Sequence, residues 1–166
     1  MTEHGSSVDR TGEWAALKEH HLRPRPRRPP SSARGLHHFA LLCADVEATI
    51  AFYQDLLEFP LVELFENRDY RGSTHLFFDI GHDNTLAFFD FPGLDLGSYA
   101  EVIGGLHHLA LSVDPETWED ARVALESAGV EYQIDSGISM YFADPDGVRL
   151  ELIAEELGSL YGTPLH

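Results

Sequence analysis

The chain has a single cysteine, Cys43. That excludes an intrachain disulfide and any paired-cysteine metal site, and a lone thiol here reads as a small core residue in a reducing compartment. No apolar run approaches the roughly 18 residues of a membrane-crossing helix, and the N-terminus lacks the apolar core of a signal peptide. Positive charge is scarce in most of the chain. Residues 35–166 hold four Lys/Arg (Arg68, Arg71, Arg122 and Arg149) against 24 Asp/Glu, hence −20 within a total of −17. A body that acidic repels phosphate backbones, and it disfavours anionic substrates unless a metal or a local arginine offsets the field. The expectation is a soluble, cytoplasmic protein that takes a small-molecule substrate, with no nucleic-acid and no membrane partner.

What is present divides along the chain. The 166 residues suffice for one ordinary domain. Residues 1–34 carry seven Lys/Arg and four Asp/Glu, hence +3, and read as a basic, Pro/Arg-rich tail. Within it Thr11 to Leu22 has the makings of a short helix, marginal unless it docks. The run Arg23 to Pro30, RPRPRRPP, removes amide donors and predicts an extended linker.

From Gly35 the pattern becomes that of a folded domain. Gly35 to Cys43 reads as a strand, and Asp45 caps a helix whose Val46, Ile50, Tyr53 and Leu57 share one face, stopped by Pro60. Strands follow at Leu61 to Glu66, Thr74 to Ile80 and Thr85 to Phe91. Then the opening recurs: GLHHLAL at Gly105 repeats GLHHFAL at Gly35, with six of seven residues identical at an offset of 70. A helix from Asp114-Pro115 to about Ala128 is closed by Gly129, with further strands at Val130 to Asp135, Ile138 to Ala143 and Val148 to Ala154. The chain is thus an internal duplication of a strand, helix, three-strand unit.

The last two strands meet at Asp144-Pro145-Asp146-Gly147, a tight-turn sequence. Past it, Glu151 alternates with Leu150 and Leu152, so a carboxylate projects from mid-strand, which is costly to bury without a partner. The duplicated histidine pairs, His37/His38 and His107/His108, each offer one imidazole to each sheet face. One histidine from each pair plus Glu151 makes a two-histidine, one-carboxylate set with open coordination positions, suited to a divalent metal such as Fe(II). Alternation alone leaves open which member of each pair faces inward.

The duplicated unit, the GLHH openings and the closing YFADPDGVRLELI resemble the vicinal oxygen chelate superfamily over Gly35 to about Ala154. Its members include glyoxalase I, extradiol dioxygenases, methylmalonyl-CoA epimerase, fosfomycin-modifying thiol transferases and bleomycin-binding proteins. The resemblance implies an α+β fold: two tandem βαβββ modules, residues 35–91 and 105–154, forming a cup-shaped mixed sheet with helices outside, followed by a tail over 155–166. Position by position it implies His38, His108 and Glu151 as the metal ligands, with Fe2+ first and Mn2+, Zn2+ and Ni2+ as alternatives. The metal would chelate two adjacent substrate oxygens.

Departures from the pattern separate the subfamilies. Glyoxalases and the epimerase carry a fourth ligand on the last strand of the first module, where Ala87 stands here. The phosphonate-binding basic cluster of the thiol transferases has no counterpart among four arginines. Bleomycin-binding members lack the triad, which is intact here. Extradiol dioxygenases use three ligands and share a tyrosine ten residues before the glutamate, here Tyr141, implied to hydrogen-bond a substrate oxygen. Their acid/base histidine is missing; the segment reads Tyr132-Gln133-Ile134. His75 is the candidate substitute, since imidazole titrates near neutrality. Five phenylalanines, Phe77, Phe78, Phe88, Phe89 and Phe91, suit either a core or an aromatic-binding cup. The expected function is metal-dependent extradiol cleavage of a small aromatic diol, with glyoxalase, isomerase or lyase chemistry, or metal-free small-molecule binding, as alternatives. Open sheet edges in so small a domain further suggest a homodimer.

Overall fold

In the computed structural model, which describes residues 8–160 and 162, the duplication appears as two four-stranded mixed sheets. The first contains β1 (His38–Leu42), β2 (Leu61–Glu66), β3 (Thr74–Asp79) and β4 (Thr85–Phe89), in the order β1-β4-β3-β2. The second repeats it with β5 (Leu109–Ser112), β6 (Tyr132–Asp135), β7 (Ser139–Ala143) and β8 (Arg149–Ile153), in the order β5-β8-β7-β6. In each, the first strand pairs in parallel with the last, and the other pairings are antiparallel. A parallel neighbour needs a crossover, and the helix after the first strand of each module supplies it.

Both crossover helices start as the sequence indicates. Asp45 accepts the Ala48 amide at 3.0 Å, opening α2 (Val46–Ile50), and Asp114 accepts the amides of Glu116 and Thr117 at 3.0 and 2.9 Å, opening α3 (Pro115–Ser127). Past Ile50 the first helix widens into a π-helical stretch over Ala51–Leu56, where sequence spacing alone predicts a continuous α-helix. The wider turn accompanies burial of two consecutive aromatics, Phe52 and Tyr53, a pair that a uniform 3.6-residue repeat spreads over more of the helix surface.

Alternation along the strands builds a single core from both sheets. Leu76, Phe78, Leu86 and Phe88 of the first sheet and Met140, Phe142, Leu150 and Leu152 of the second join Phe52, Tyr53, Leu57 and Leu125 in one cluster. Each such side chain contributes about 1.5–3 kcal/mol on burial. Tyr53 is the hinge of this packing, its ring centre 4.8 Å from that of Phe88 and 5.4 Å from that of Phe78, while Phe52 reaches Phe142 at 6.2 Å. The Tyr53 hydroxyl donates to Asp144 Oδ2 at 2.9 Å, tying the first helix to the turn between β7 and β8. Asp144 Oδ1 also accepts the amides of Asp146 and Val148 at 2.9 and 2.8 Å, and Gly147 takes the positive φ of 86° that the turn requires. Asp146 in turn accepts the Ala44 amide at 3.1 Å.

The chain divides by its contacts into a unit formed by its ends, up to Gly35 and from Leu160, and a unit spanning Leu36–Ser159. In the former, α1 (Thr11–His21) forms with no buried residue, and the proline-rich run is not wholly extended: Arg25–Arg27 make one 3-10 turn. Among the described residues no helix is long and apolar enough to cross a membrane.

Candidate metal centre

The core consumes one face of each sheet, and the chemistry-bearing side chains lie on the other. In the second sheet Glu151 sits on β8 between Ala110 of β5 and Tyr141 of β7. It is completely buried, at 0 % exposure. His108, two residues before Ala110 and so on the same face, sets its Nε2 3.1 Å from Glu151 Oε2. The Tyr141 ring stands edge-on to His108, with centroids 5.8 Å apart. His107 Nδ1 lies 2.6 Å from His108 Nδ1, so one donates to the other. With His108 as donor its Nε2 keeps a lone pair, the state in which an imidazole binds a metal.

The first sheet repeats this layout with the acid removed. Ala87 occupies the place of Glu151, between Ala40 and Phe77, and Phe77 occupies that of Tyr141. His38 precedes Ala40 as His108 precedes Ala110, with its Nδ1 2.8 Å from that of His37 and its ring 6.3 Å from that of Phe77. His75, farther along the same face, stacks on Phe89 at 3.8 Å and touches Phe77 at 4.2 Å. Its Nε2 is buried and has no hydrogen-bond partner among the described residues. Burial, and then the neighbouring charge of His38, push its pKa below the usual histidine range. Phe65, across from His75 on β2, is 50 % exposed, so this aromatic face stands open.

Of the residues singled out from the sequence, one chain therefore brings together His108, Glu151 and Tyr141, and separately His38 and His75. Strands β1 and β5 lie in different sheets, so the two first strands do not pair with each other. Among the described residues no three His, Cys, Asp or Glu side chains gather closely enough to hold a metal ion. The pair that does form suits one. Two donors at 90° on a cation with bonds of about 2.1 Å stand about 3.0 Å apart, close to the 3.1 Å between His108 and Glu151. A neutral imidazole nitrogen and a carboxylate oxygen facing each other in a buried position need a proton or a cation between them.

Comparison with known proteins places the fold in a family. The model of the Glyoxalase/Bleomycin resistance protein/Dioxygenase superfamily matches residues 35–152. The chain belongs to that superfamily. "Putative ring-cleaving dioxygenase MhqA" of Bacillus subtilis is 30% identical over 142 residues, which are 79% of this chain but 43% of MhqA, so the chain spans less than half of that relative. The glyoxalase family protein of Enterococcus faecalis superposes with a TM-score of 0.57 at 28% identity, covering 72% of this chain and 97% of that one. A Glu-to-Gln mutant of the fosfomycin resistance protein FosX from Listeria monocytogenes, solved with Mn(II) and 1S,2S-dihydroxypropylphosphonic acid, gives 0.56 at 23% identity over 75% of this chain and 95% of that one. That last likeness is one of fold.

Sequence reasoning passed over Arg149 and Glu101. The Arg149 guanidinium carbon lies 4.7 Å from the centre of the Tyr141 ring, and Arg149 Nη1 is 3.8 Å from Glu101 Oε1. The signal was present in the strand alternation: Arg149 is two residues from Glu151 and shares its face. Gln133, which pairs with Tyr141 on β6, stands in the segment where the ring-cleaving pattern has its histidine.

Proposed function

We propose that the protein is a divalent-metal-dependent enzyme, active as a homodimer, that uses dioxygen as co-substrate to open the ring of a small aromatic diol beside its vicinal hydroxyls, with both oxygen atoms entering the product. One observation carries this reading. His108, Glu151 and Tyr141 converge on one sheet face, Glu151 buried and His108 partly exposed, while His38 lies on the matching face of the other sheet with no acid of its own. Completing the set requires the two faces to meet, and a second copy of the chain supplies each with its complement. His38 of one chain then joins His108 and Glu151 of the other, twice per dimer. The 30% identity to the matched part of MhqA supports the choice of reaction.

When bound by these three residues, a divalent metal, Fe2+ first among the candidates and Mn2+, Zn2+ or Ni2+ after it, supplies Lewis acidity to two neighbouring substrate oxygens. The chain's own residues do the rest. Tyr141 donates a hydrogen bond to a substrate oxygen next to the ligands. Phe77, Phe89 and Phe65 hold the aromatic ring and exclude water. His75, kept neutral by its surroundings, takes the proton from the second hydroxyl and returns it after ring opening.

Two measurements test the proposal. Protein loaded anaerobically with Fe(II) consumes oxygen with at least one substituted catechol and forms a yellow ring-opened product; filled sites without oxygen uptake on any catechol move the reading to isomerase or lyase chemistry. Mixed dimers test the shared site. His38→Ala and Glu151→Ala chains are each metal-poor alone, but a heterodimer of the two contains one intact set and regains one metal. Failure to regain it refutes sharing between chains.

A further inference from the structure

We propose that Arg149 is a specificity residue that reads an ionised carboxylate on the substrate. The inference rests on the diol reading above and narrows it to aromatic diols carrying an acidic side chain. Along β8, Arg149 and Glu151 are two residues, about 6.6 Å, apart on one face. The Tyr141 ring links them, touching His108 on one side and the Arg149 guanidinium on the other. A ligand whose oxygens lie beside His108 and Glu151 therefore extends along Tyr141 toward a guanidinium.

The state of that guanidinium distinguishes it from the other arginines of the domain. Arg122 is spent on Glu119, Glu126 and the Tyr132 hydroxyl, and Arg68 on Asp69. Arg71 lies exposed in the turn between β2 and β3. Arg149 is half-exposed, and among the described residues its charged group meets only the Tyr141 ring and, at 3.8 Å, Glu101. That distance is within ion-pair range but beyond a hydrogen bond, so a planar, bidentate carboxylate can displace Glu101 and take the N–H donors. Stacking on Tyr141 holds the fork in place before the ligand arrives, which reduces the entropy lost on binding. The surrounding body, with 24 acids against four arginines, repels an anion everywhere else. Beside the metal position, Arg149 thus offers a second positive group, and its fork sets the orientation of one carboxylate.

The test uses full-length protein with metal occupancy measured beforehand, kept anaerobic so that binding is read without turnover. Dissociation constants are taken from tryptophan and tyrosine fluorescence for 3,4-dihydroxybenzoate, 3,4-dihydroxyphenylacetate, 3-(3,4-dihydroxyphenyl)propionate and the methyl ester of each. The expected result is a preference of about tenfold or more for at least one acid over its ester. Arg149→Met reduces that preference to about unity, leaves ester affinity within about twofold and leaves metal content unchanged. Arg149→Lys retains part of the preference, and salt weakens acid binding but not ester binding. No preference in the wild type, or one that survives Arg149→Met, overturns the proposal. So does an equal loss of acid and ester binding, which assigns Arg149 to positioning Tyr141. If neither acids nor esters bind a metal-filled site, the diol reading itself fails and the role of Arg149 falls with it; diols that bind without discrimination overturn Arg149 alone.

Discussion

Tyr53→Phe isolates a buried hydrogen bond between the two modules. The ring is fully buried against Phe78 and Phe88, and phenylalanine keeps those contacts. What disappears is the hydroxyl donated to Asp144 Oδ2 at 2.9 Å, in a pair that is buried on both sides. A hydrogen bond to a charged group contributes about 1.5–3 kcal/mol, and a neutral one about 1. The expected loss at neutral pH is therefore roughly 2–3 kcal/mol, or about 6–10 °C in Tm for a domain of this size. Burial pushes the Asp144 carboxyl above the usual carboxylate range, against the opposing pull of the Val148 amide, the Tyr53 hydroxyl and the Asp146 amide. Because the folded state holds this proton more tightly than the unfolded chain, wild-type stability from this group declines as pH rises from the unfolded pKa through the raised folded one. Removing the hydroxyl raises the folded pKa further, so the cost of Tyr53→Phe is largest above it and shrinks toward about 1 kcal/mol as pH falls through it. Urea titrations of wild type, Tyr53→Phe, Asp144→Asn and the double mutant across that range give the coupling energy directly. A coupling below about 0.5 kcal/mol at neutral pH, or a Tyr53→Phe cost that does not vary with pH, refutes the reasoning.

The remaining predictions concern the open faces. Metal analysis of protein purified without chelators gives about one divalent ion per chain, and His38→Ala, His108→Ala and Glu151→Ala each cut bound metal severely; full occupancy in any one removes that residue from the ligand set. His75→Gln lowers the turnover of the Fe(II)-loaded enzyme roughly a hundredfold with metal content unchanged. It also abolishes the acid limb of the pH–rate profile, a limb that in wild type lies below the ordinary histidine range because the pKa of His75 is depressed. Ala87→Glu places a second carboxylate at a fully buried position equivalent to Glu151. Thermal melts in chelator show a loss of about 1–3 kcal/mol from overpacking, and added divalent metal restores part of it. Light scattering at micromolar concentration reports twice the chain mass, and a monomer at that concentration contradicts the shared site.

Much of the architecture was legible because it is written locally and twice. The GLHH repeat marks the duplication, Asp45 and Asp114 cap their helices as their positions imply, and the DPDG turn sets β8 in the parity that puts Glu151 opposite Leu150 and Leu152. Boundaries shift where a tertiary contact takes over a backbone group. The repeat predicts first strands from Gly35 and Gly105, whereas β1 begins at His38 and β5 at Leu109, where the Tyr99 hydroxyl donates to the preceding Leu106 carbonyl at 2.7 Å. The π-helical stretch was not legible, since two adjacent buried aromatics look like any interruption of a helical repeat. Nor was the whole surrounding of His75: Phe77 follows two residues later on the same strand, but Phe89 meets His75 through strand pairing, which sequence separation conceals.

On the proposed reading, the divergence between the two modules accounts for a site divided between chains. Matching positions carry histidine in both, at His38 and His108, but the acid and its tyrosine in one only, Glu151 and Tyr141 against Ala87 and Phe77. A symmetric duplicate would bury two carboxylates on two open faces, each needing its own cation. With Ala87 and Phe77 in the first module, the proposed site has one acid for two histidines, and the face without an acid presents His38 and an aromatic wall instead. Each chain then contributes one His38, one His108 and one Glu151, so the stoichiometry is one metal per chain whichever modules pair. Counting metal tests the ligand set, and mixing His38→Ala with Glu151→Ala chains tests the pairing. A regained ion in the mixed dimer has a single source, the intact His38 of one chain facing the intact His108 and Glu151 of the other.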